Sequence, residues 1–299
     1  MRRPPQIALL PDGKRLHLQD GPIDLIVEAK GSRRNVRAAH EAAATRFTGL
    51  LDQLCAELTE LRRAVESGRC LLKGTVARRM HAAVAPFAAD CFITPMAAVA
   101  GSVAEEILGA MLGAADLDRA YVNNGGDIAL HLTGTEQFTV GLLDRPDSKG
   151  LMRTMVISAD DPIRGISTSG RHGRSFSLGI ADAVTVLART ASMADAAATI
   201  IANAVDLPGH PGVVRRPANE LQPDSDLGAR LVTQDVAALT ESEIENALEA
   251  GADCARRLLG AGLIEGAALQ LQGEAMLVGA GEVRSPTHSD RRLEQFVQA

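Results

Sequence analysis

The chain has 299 residues, 46% of them hydrophobic and 23% charged, which is enough apolar side chain to bury a full core in one large domain spanning 1–299. A formal net charge of −6 argues against nucleic acid or an anionic membrane as a partner. Four cysteines, Cys55, Cys70, Cys91 and Cys254, show neither C-x-x-C spacing nor a paired pattern, and read as reduced, mostly buried thiols of a cytoplasmic protein.

The basic start MRRPPQIALL carries an apolar run too short for an export signal, and no stretch is expected to reach the length of a membrane span. Residues 6–10, 16–18 and 23–27 predict a strand meander around the turn PDGK. From 35 to about 66 the apolar residues Ala43, Phe47, Leu50, Leu51, Leu54, Leu58 and Leu61 recur at three and four, which predicts one long helix ended by Gly68. Residues 75–87 fit no single element. From 90 to 112 a helix is expected, with Thr94 as its cap and Pro95 at its first position. Its small residues, among them Ala100, Gly101 and Ala104, let the backbone approach a neighbour or a ligand, and its first N–H groups either greet an anion or are capped and buried.

Residues 120–132 read as a strand interrupted by Asn124, Gly125, Gly126 and Asp127. Paired glycines allow positive φ and close approach of a ligand, with Asp127 as a functional carboxylate; the same letters are also the strongest local signal for a plain hairpin. Tyr121, the single tyrosine, is expected to pack inward, and it is the one aromatic ring near this loop on which a flat ligand could stack. Strands at 138–143 and 155–159 flank the turn DRPDSKG. GISTSG, residues 165–170, predicts a strand with a small-residue turn, followed by a second strand; the Ser167, Thr168 and Ser169 hydroxyls beside Gly170 can cradle a phosphate or carboxylate, and His172 is the histidine nearest to them.

The helix that follows carries Asp195 and Thr199 four positions apart, hence on one face, where two oxygens suit a hard cation such as Mg²⁺. An Asp near a helix start is equally explained by the helix dipole. The Pro- and Gly-rich stretch after it predicts a long loop bearing Arg215 and Arg216, candidates for an anionic substrate. Thr240 and Glu243 form a capping box opening a helix to about 259, closed by Gly260 or Gly262. Residues 267–271 and 275–278 close the pattern as a hairpin, and the tail from about 284 is expected to be loose. Single helices alternating with antiparallel-looking hairpins argue an α+β class, with long helices on mixed or antiparallel sheets.

Three motifs in order, VNNGGDI (122–128), GISTSG (165–170) and ADAAAT (194–199), resemble those of the ApbE-like superfamily, whose best-known members are FAD:protein FMN transferases. The resemblance covers roughly residues 90–205 and implies a T-fold-like ApbE architecture of two pseudo-symmetric halves, although no residue-level repeat accompanies it. It implies Mg²⁺ held by Asp195 and Thr199 against the pyrophosphate of FAD, with Asn124, Gly125, Gly126, Ser167, Ser169 and Gly170 around the ligand and an acceptor protein as partner. The chain departs from the family where a His and a D-P-x-T-G run are usual: the interval 171–180 reads RHGRSFSLGI, so His172 is near the family's catalytic His without matching it. The departure resembles a shorter cytoplasmic branch. Three functions stay open: Mg²⁺-dependent FMN transfer; a flavin-independent enzyme for a small anionic or heterocyclic metabolite, using Asp127, His172 and Thr168 in acid–base or nucleophilic roles; or a metabolite-binding module. A homo-oligomer is compatible with each.

Overall fold

The computed structural model describes residues 4–66, 69–143 and 151–279. Gly68, the DRPDSKG turn and the tail from 284, for which the sequence made expectations, lie outside these residues. In chain order the elements are β1 (Gln6–Leu9), β2 (Leu16–Asp20), β3 (Ile23–Lys30), α1 (Arg33–Phe47), α2 (Leu50–Ala56), α3 (Leu58–Leu61), α4 (Thr75–Val84) and α5 (Val99–Ala114). There follow β4 (Arg119–Asn124), β5 (Asp127–Leu132), β6 (Gln137–Leu143), β7 (Leu151–Ser158), β8 (Gly165–Ser169), β9 (Ala183–Ala188) and α6 (Ala191–Ala204). The chain continues with β10 (Val213–Pro217), α7 (Ala218–Leu221), β11 (Leu231–Val236), α8 (Glu241–Gly260), β12 (Gly266–Leu271) and β13 (Glu274–Gly279). The class is α+β, and every strand pair with a defined register is antiparallel.

The chain folds into two compact units interleaved in sequence. The first takes Met1–Gln137, Ser158–Ser167 and Arg189–Ala196. Its sheet runs β1-β2-β3-β4-β5-β8. Alternation on β2 and β3 sends Leu16, Leu18, Ile23, Leu25 and Val27 inward, as the period of two requires. Onto that face pack α1, through Ala39, Ala43 and Phe47, and α5, through Val103, Ala104, Ile107 and Met111, all with no exposed surface.

The long helix expected over 35–66 is broken. Thr48 is extended and Gly49 takes φ +78°, a left-handed conformation that ends α1 and starts α2 in a new direction. The ambiguous 75–87 stretch is α4 followed by a single 3₁₀ turn. Pro95 opens a 3₁₀ turn that runs into α5, but the Thr94 side chain does not cap it. Against expectation, Pro95–Ala114 is long and apolar enough, at a mean hydropathy of 1.4 over its most apolar window, to pass as a membrane span by length and composition. It packs on α1, β4 and β5 instead. Tyr121 also departs from its expected inward packing. The buried positions of β4 are Ala120, Val122 and Asn124, so Tyr121 is half-buried on the opposite face, against Glu28 and Arg15. Burial and the Glu28 charge push its hydroxyl up to about 12.

The second unit holds Phe138–Ile157, Thr168–Ala188 and Ala197–Ala299. Here β9, β12 and β13 pair in that order, β12 and β13 across a two-residue turn in which Gln272 and Gly273 have φ of 47° and 93°. Helix α8 lies on β12 and β13, and Gly251 admits Val205 and Leu269, whose side chains a Cβ would meet at 2.3 and 2.7 Å. The expected long loop after α6 contains β10, which pairs with β11. Cys55, Cys70 and Cys91 are exposed and only Cys254 is buried, a reversal of the expected thiol burial; none forms a disulfide.

The capping box of α8 is formed in full: the Thr240 hydroxyl accepts from the Glu243 N–H at 3.4 Å and Glu243 accepts from the Thr240 N–H at 2.7 Å. The Thr240 N–H, His210 at 2.8 Å and the Thr240 hydroxyl at 2.8 Å, all bonded to the carboxylate, hold Glu243 down at about 2. Its stabilising effect is therefore present above the ordinary value of 4.5 and is lost as pH falls towards about 2. Thr240→Ala should lower the unfolding free energy by about 1 kcal/mol, read by urea denaturation at neutral pH, with an unchanged slope.

Candidate functional site

The motif residues of the first unit converge where two helices begin. The β4–β5 hairpin closes between Asn124 and Asp127 through Gly125 and Gly126, whose φ values of 66° and 109° make the two-residue turn that only glycine adopts freely. The hairpin reading of NNGGD is thus correct locally. Its two flanking residues nevertheless face α5, because they share the buried face with Val122 and Ala129. Asn124 is buried, and its Nδ2 donates to the Ala100 carbonyl at 3.1 Å.

GISTSG forms the expected strand, β8, over Gly165–Ser169; Ile166 pairs with Ile128 and Gly165 with Ala129. Strand alternation then divides the hydroxyls. Ser167 is 1% exposed and donates its hydroxyl to Asp127, whereas Thr168 is exposed and shares a hydrogen bond of 2.9 Å with Thr185 in the second unit. Gly165 is obligatory, since a Cβ there would sit 2.1 Å from the Thr190 carbonyl oxygen.

Thr190 and Ser192 begin α6, and the Thr190 hydroxyl accepts from the Met193 N–H at 3.2 Å. One turn in, Asp195 accepts the Gly101 N–H at 2.9 Å and a further backbone bond from Ala100, so its carboxylate caps α5. The relation is reciprocal: Glu105, on the second turn of α5, accepts the Ser192 N–H of α6 at 2.6 Å. Glu105 is in turn held by Arg79 at 3.2 Å, and Arg79 and Arg46 each reach Glu106 at 2.8 Å. Gly101 permits the approach, for a Cβ there would lie 2.3 Å from the Ala191 carbonyl oxygen.

Two carboxylates thus share this corner of the unit. Burial, and next the charge of Asp127, raise the Asp195 carboxyl well above 3.8, while the N–H groups of Gly101 and Ala100 pull it down. Such a pair of oxygens under mutual repulsion fits a hard cation, which takes one or two protein carboxylates and draws its other ligands from water or substrate phosphates. Among the described residues no group of three or more His, Cys, Asp or Glu is placed to hold a metal by itself. Thr199 lies one turn beyond Asp195 on α6, half-buried.

In the second unit, His172 pairs with Asp182 at 3.1 Å and not with a motif hydroxyl. Gly170 lies against the same strand start, where a Cβ would come within 2.4 Å of the Asp182 carbonyl oxygen, and Ser169 is half-buried. Arg215 and Arg216 are on β10; Arg215 pairs with Asp206, leaving its buried Nε without a hydrogen bond, and Arg216 with Glu220 at 3.3 Å. Sequence reasoning missed Glu105 and Asp182. Each had a signal: Glu105 and Glu106 interrupt the apolar run of α5, and Asp182 is the lone acid between the apolar residues of 178–187.

Comparison with known proteins bears on these motifs. The profile of a family described as AbpE bacteria matches residues 7–277. The apo crystal structure of the Pseudomonas stutzeri flavinyl transferase ApbE aligns with 99% of each chain at a TM-score of 0.50 and 12% identity, a likeness of fold. A UPF0280 protein of Methanopyrus kandleri is 38% identical over 128 residues, covering 43% of this chain and 48% of that protein. Another from Methanococcoides burtonii is 40% identical over 130 residues, 40% of this chain and 49% of its own. The chain spans about half the length of the curated relatives it matches, 48% and 49% in these two.

Removing the Asp195 carboxylate should orphan N–H groups at the start of α5, so Asp195→Ala is expected to cost roughly 1–3 kcal/mol and Asp195→Asn, which keeps an acceptor, less. Because the Asp195 carboxyl is raised in the folded state, the native protein holds more protons than the unfolded chain above pH 3.8, and stability falls as pH rises towards the raised value. Asp127→Asn keeps an acceptor for Ser167 and removes the repulsion. In metal-free buffer its urea midpoint should fall less than that of wild type as pH rises above the ordinary carboxylate range.

Proposed function

The chain belongs to the AbpE bacteria family, and from that premise we propose that it is a Mg²⁺-dependent flavinyl transferase, moving FMN from FAD to a threonine hydroxyl of an acceptor protein in the cytoplasm. The observation that carries the reading is the corner formed by Asp195 and Asp127: the Asp of the A-D-A-x-x-T motif is held in place by α5 N–H groups and set against a second carboxylate.

Asp195 and Asp127 would hold the cation, with Thr199 one turn along α6 as a hydroxyl ligand. A bound Mg²⁺ would supply neutralisation of pyrophosphate charge. The chain's own contribution is positional. Ser167 fixes the rotamer of Asp127 by hydrogen bonding to it, and the start of α5 fixes Asp195. Asn124, locked to the Ala100 carbonyl, keeps the hairpin tip at the same helix start. Gly125 and Gly126 leave the tip free of side chains, so a ligand can approach the backbone there.

A second reading, flavin-independent acid–base chemistry on a small polar metabolite, is favoured by the pairing of His172 with a buried carboxylate. Calorimetric titration with FAD, with and without Mg²⁺, separates the two. Micromolar binding that requires Mg²⁺ and weakens at least tenfold in Asp195→Asn, a variant that retains the cap of α5, supports the transferase. Folded wild-type protein that takes up neither FAD nor Mg²⁺ rules it out.

A further inference from the structure

The second unit contains a cluster whose chemistry is set by one buried side chain. Asp182, 4% exposed, accepts from Arg171 through Nε at 2.8 Å and a terminal nitrogen at 2.7 Å, from His172 Nε2 at 3.1 Å and from the Gln272 N–H at 2.5 Å. The backbone is pinned around it: the Asp182 N–H donates to the Gln270 carbonyl and the Arg171 N–H to the Ala181 carbonyl, both at 2.9 Å. A Gly173 N–H bond to the Gly170 carbonyl at 3.1 Å closes the turn that presents His172. An exposed histidine–carboxylate pair would contribute little and fix nothing. Here the carboxylate is buried, its orientation is set by three further N–H donors, and the imidazole is the more exposed of its two side-chain partners, at 41% against 17% for Arg171.

We propose that Asp182 is the positioning residue of a His172 general base, holding the ring so that Nδ1 is the nitrogen that reacts. A carboxylate facing a guanidinium has only lone pairs to offer, so the imidazole nitrogen that meets it must carry the hydrogen. Neutral His172 is thereby the Nε2–H tautomer, with the Nδ1 lone pair free. In the proton-transfer step Nδ1 takes the proton of a substrate hydroxyl, the oxygen keeps the bonding pair, and the resulting imidazolium stays on Asp182 through its Nε2–H. Asp182 acts by orientation, as the carboxylate does in other His-containing sites. The inference rests on the second reading above, in which His172 is an acid–base group, and it needs no flavin.

Two measurements test it separately. Long-range proton–nitrogen correlation spectra of ¹⁵N-labelled wild-type protein, at a pH where the ring is neutral, should show His172 as a single Nε2–H tautomer; an Nδ1–H ring or a mixture overturns the positioning role. Reaction with diethyl pyrocarbonate should modify His172 at Nδ1, several-fold more slowly in Asp182→Asn. A correct tautomer with no difference in reactivity overturns the base. Arg171→Gln provides the check on folding and charge: it should keep the tautomer, since Asp182 alone imposes it, and loss of the tautomer in that variant assigns the effect to Arg171 instead.

Discussion

The first unit depends on how α5 and α6 meet end to side at their first turns. Each helix has backbone N–H groups that its own turn cannot satisfy, and each receives a carboxylate from the other, Asp195 onto α5 and Glu105 onto α6. The exchange works only where the backbones nearly touch, so Gly101 stands at the contact and Gly165 a strand away from it, each with no room for a Cβ beside the 190–192 segment. Arg79 and Arg46 then neutralise the glutamates that the apolar α5 brings into the core.

The same contact explains why the candidate site is held so firmly and at some electrostatic expense. Asp195 is oriented by helix N–H groups yet pushed towards its protonated form by burial and by Asp127. A scaffold selected only for stability would not leave two carboxylates so near one another, since replacing either with a neutral group would remove the repulsion. Strain of that kind is what a cation relieves. The arrangement therefore links packing, through Gly101, to charge, through Asp195, and to the proposed chemistry, through the pairing of Asp195 with Asp127.

The interval in which the chain departs from the motifs it resembles is structurally occupied. Residues 171–180 send Arg171 and His172 onto Asp182, while Gly179 seats against the end of α6, where a Cβ would lie 2.2 Å from the Ala202 carbonyl oxygen. Leu178 donates its N–H to Asn203 at 2.9 Å and Ile180 to the Val205 carbonyl at 2.8 Å.

The sequence by itself determined several elements and the resemblance to the family. Period two on 16–27, the Thr240 capping box, the Gly125–Gly126 turn and the ordered motifs at 122–128, 165–170 and 194–199 are all local, because each is set by backbone preferences within a few residues. What it missed or left open were matters of tertiary partnership: 35–66, predicted as one helix, is three; 75–87, which fitted no single element, is α4 and a 3₁₀ turn; and Asp195, expected to bind a cation or to serve its own helix dipole, caps α5. Those were decided by the tertiary structure, because they turn on partners distant in sequence, 94 residues in the case of Gly101 and Asp195 and 87 in that of Glu105 and Ser192. A carboxylate's role follows from the N–H, guanidinium or second carboxylate that faces it, and folding alone brings those groups together.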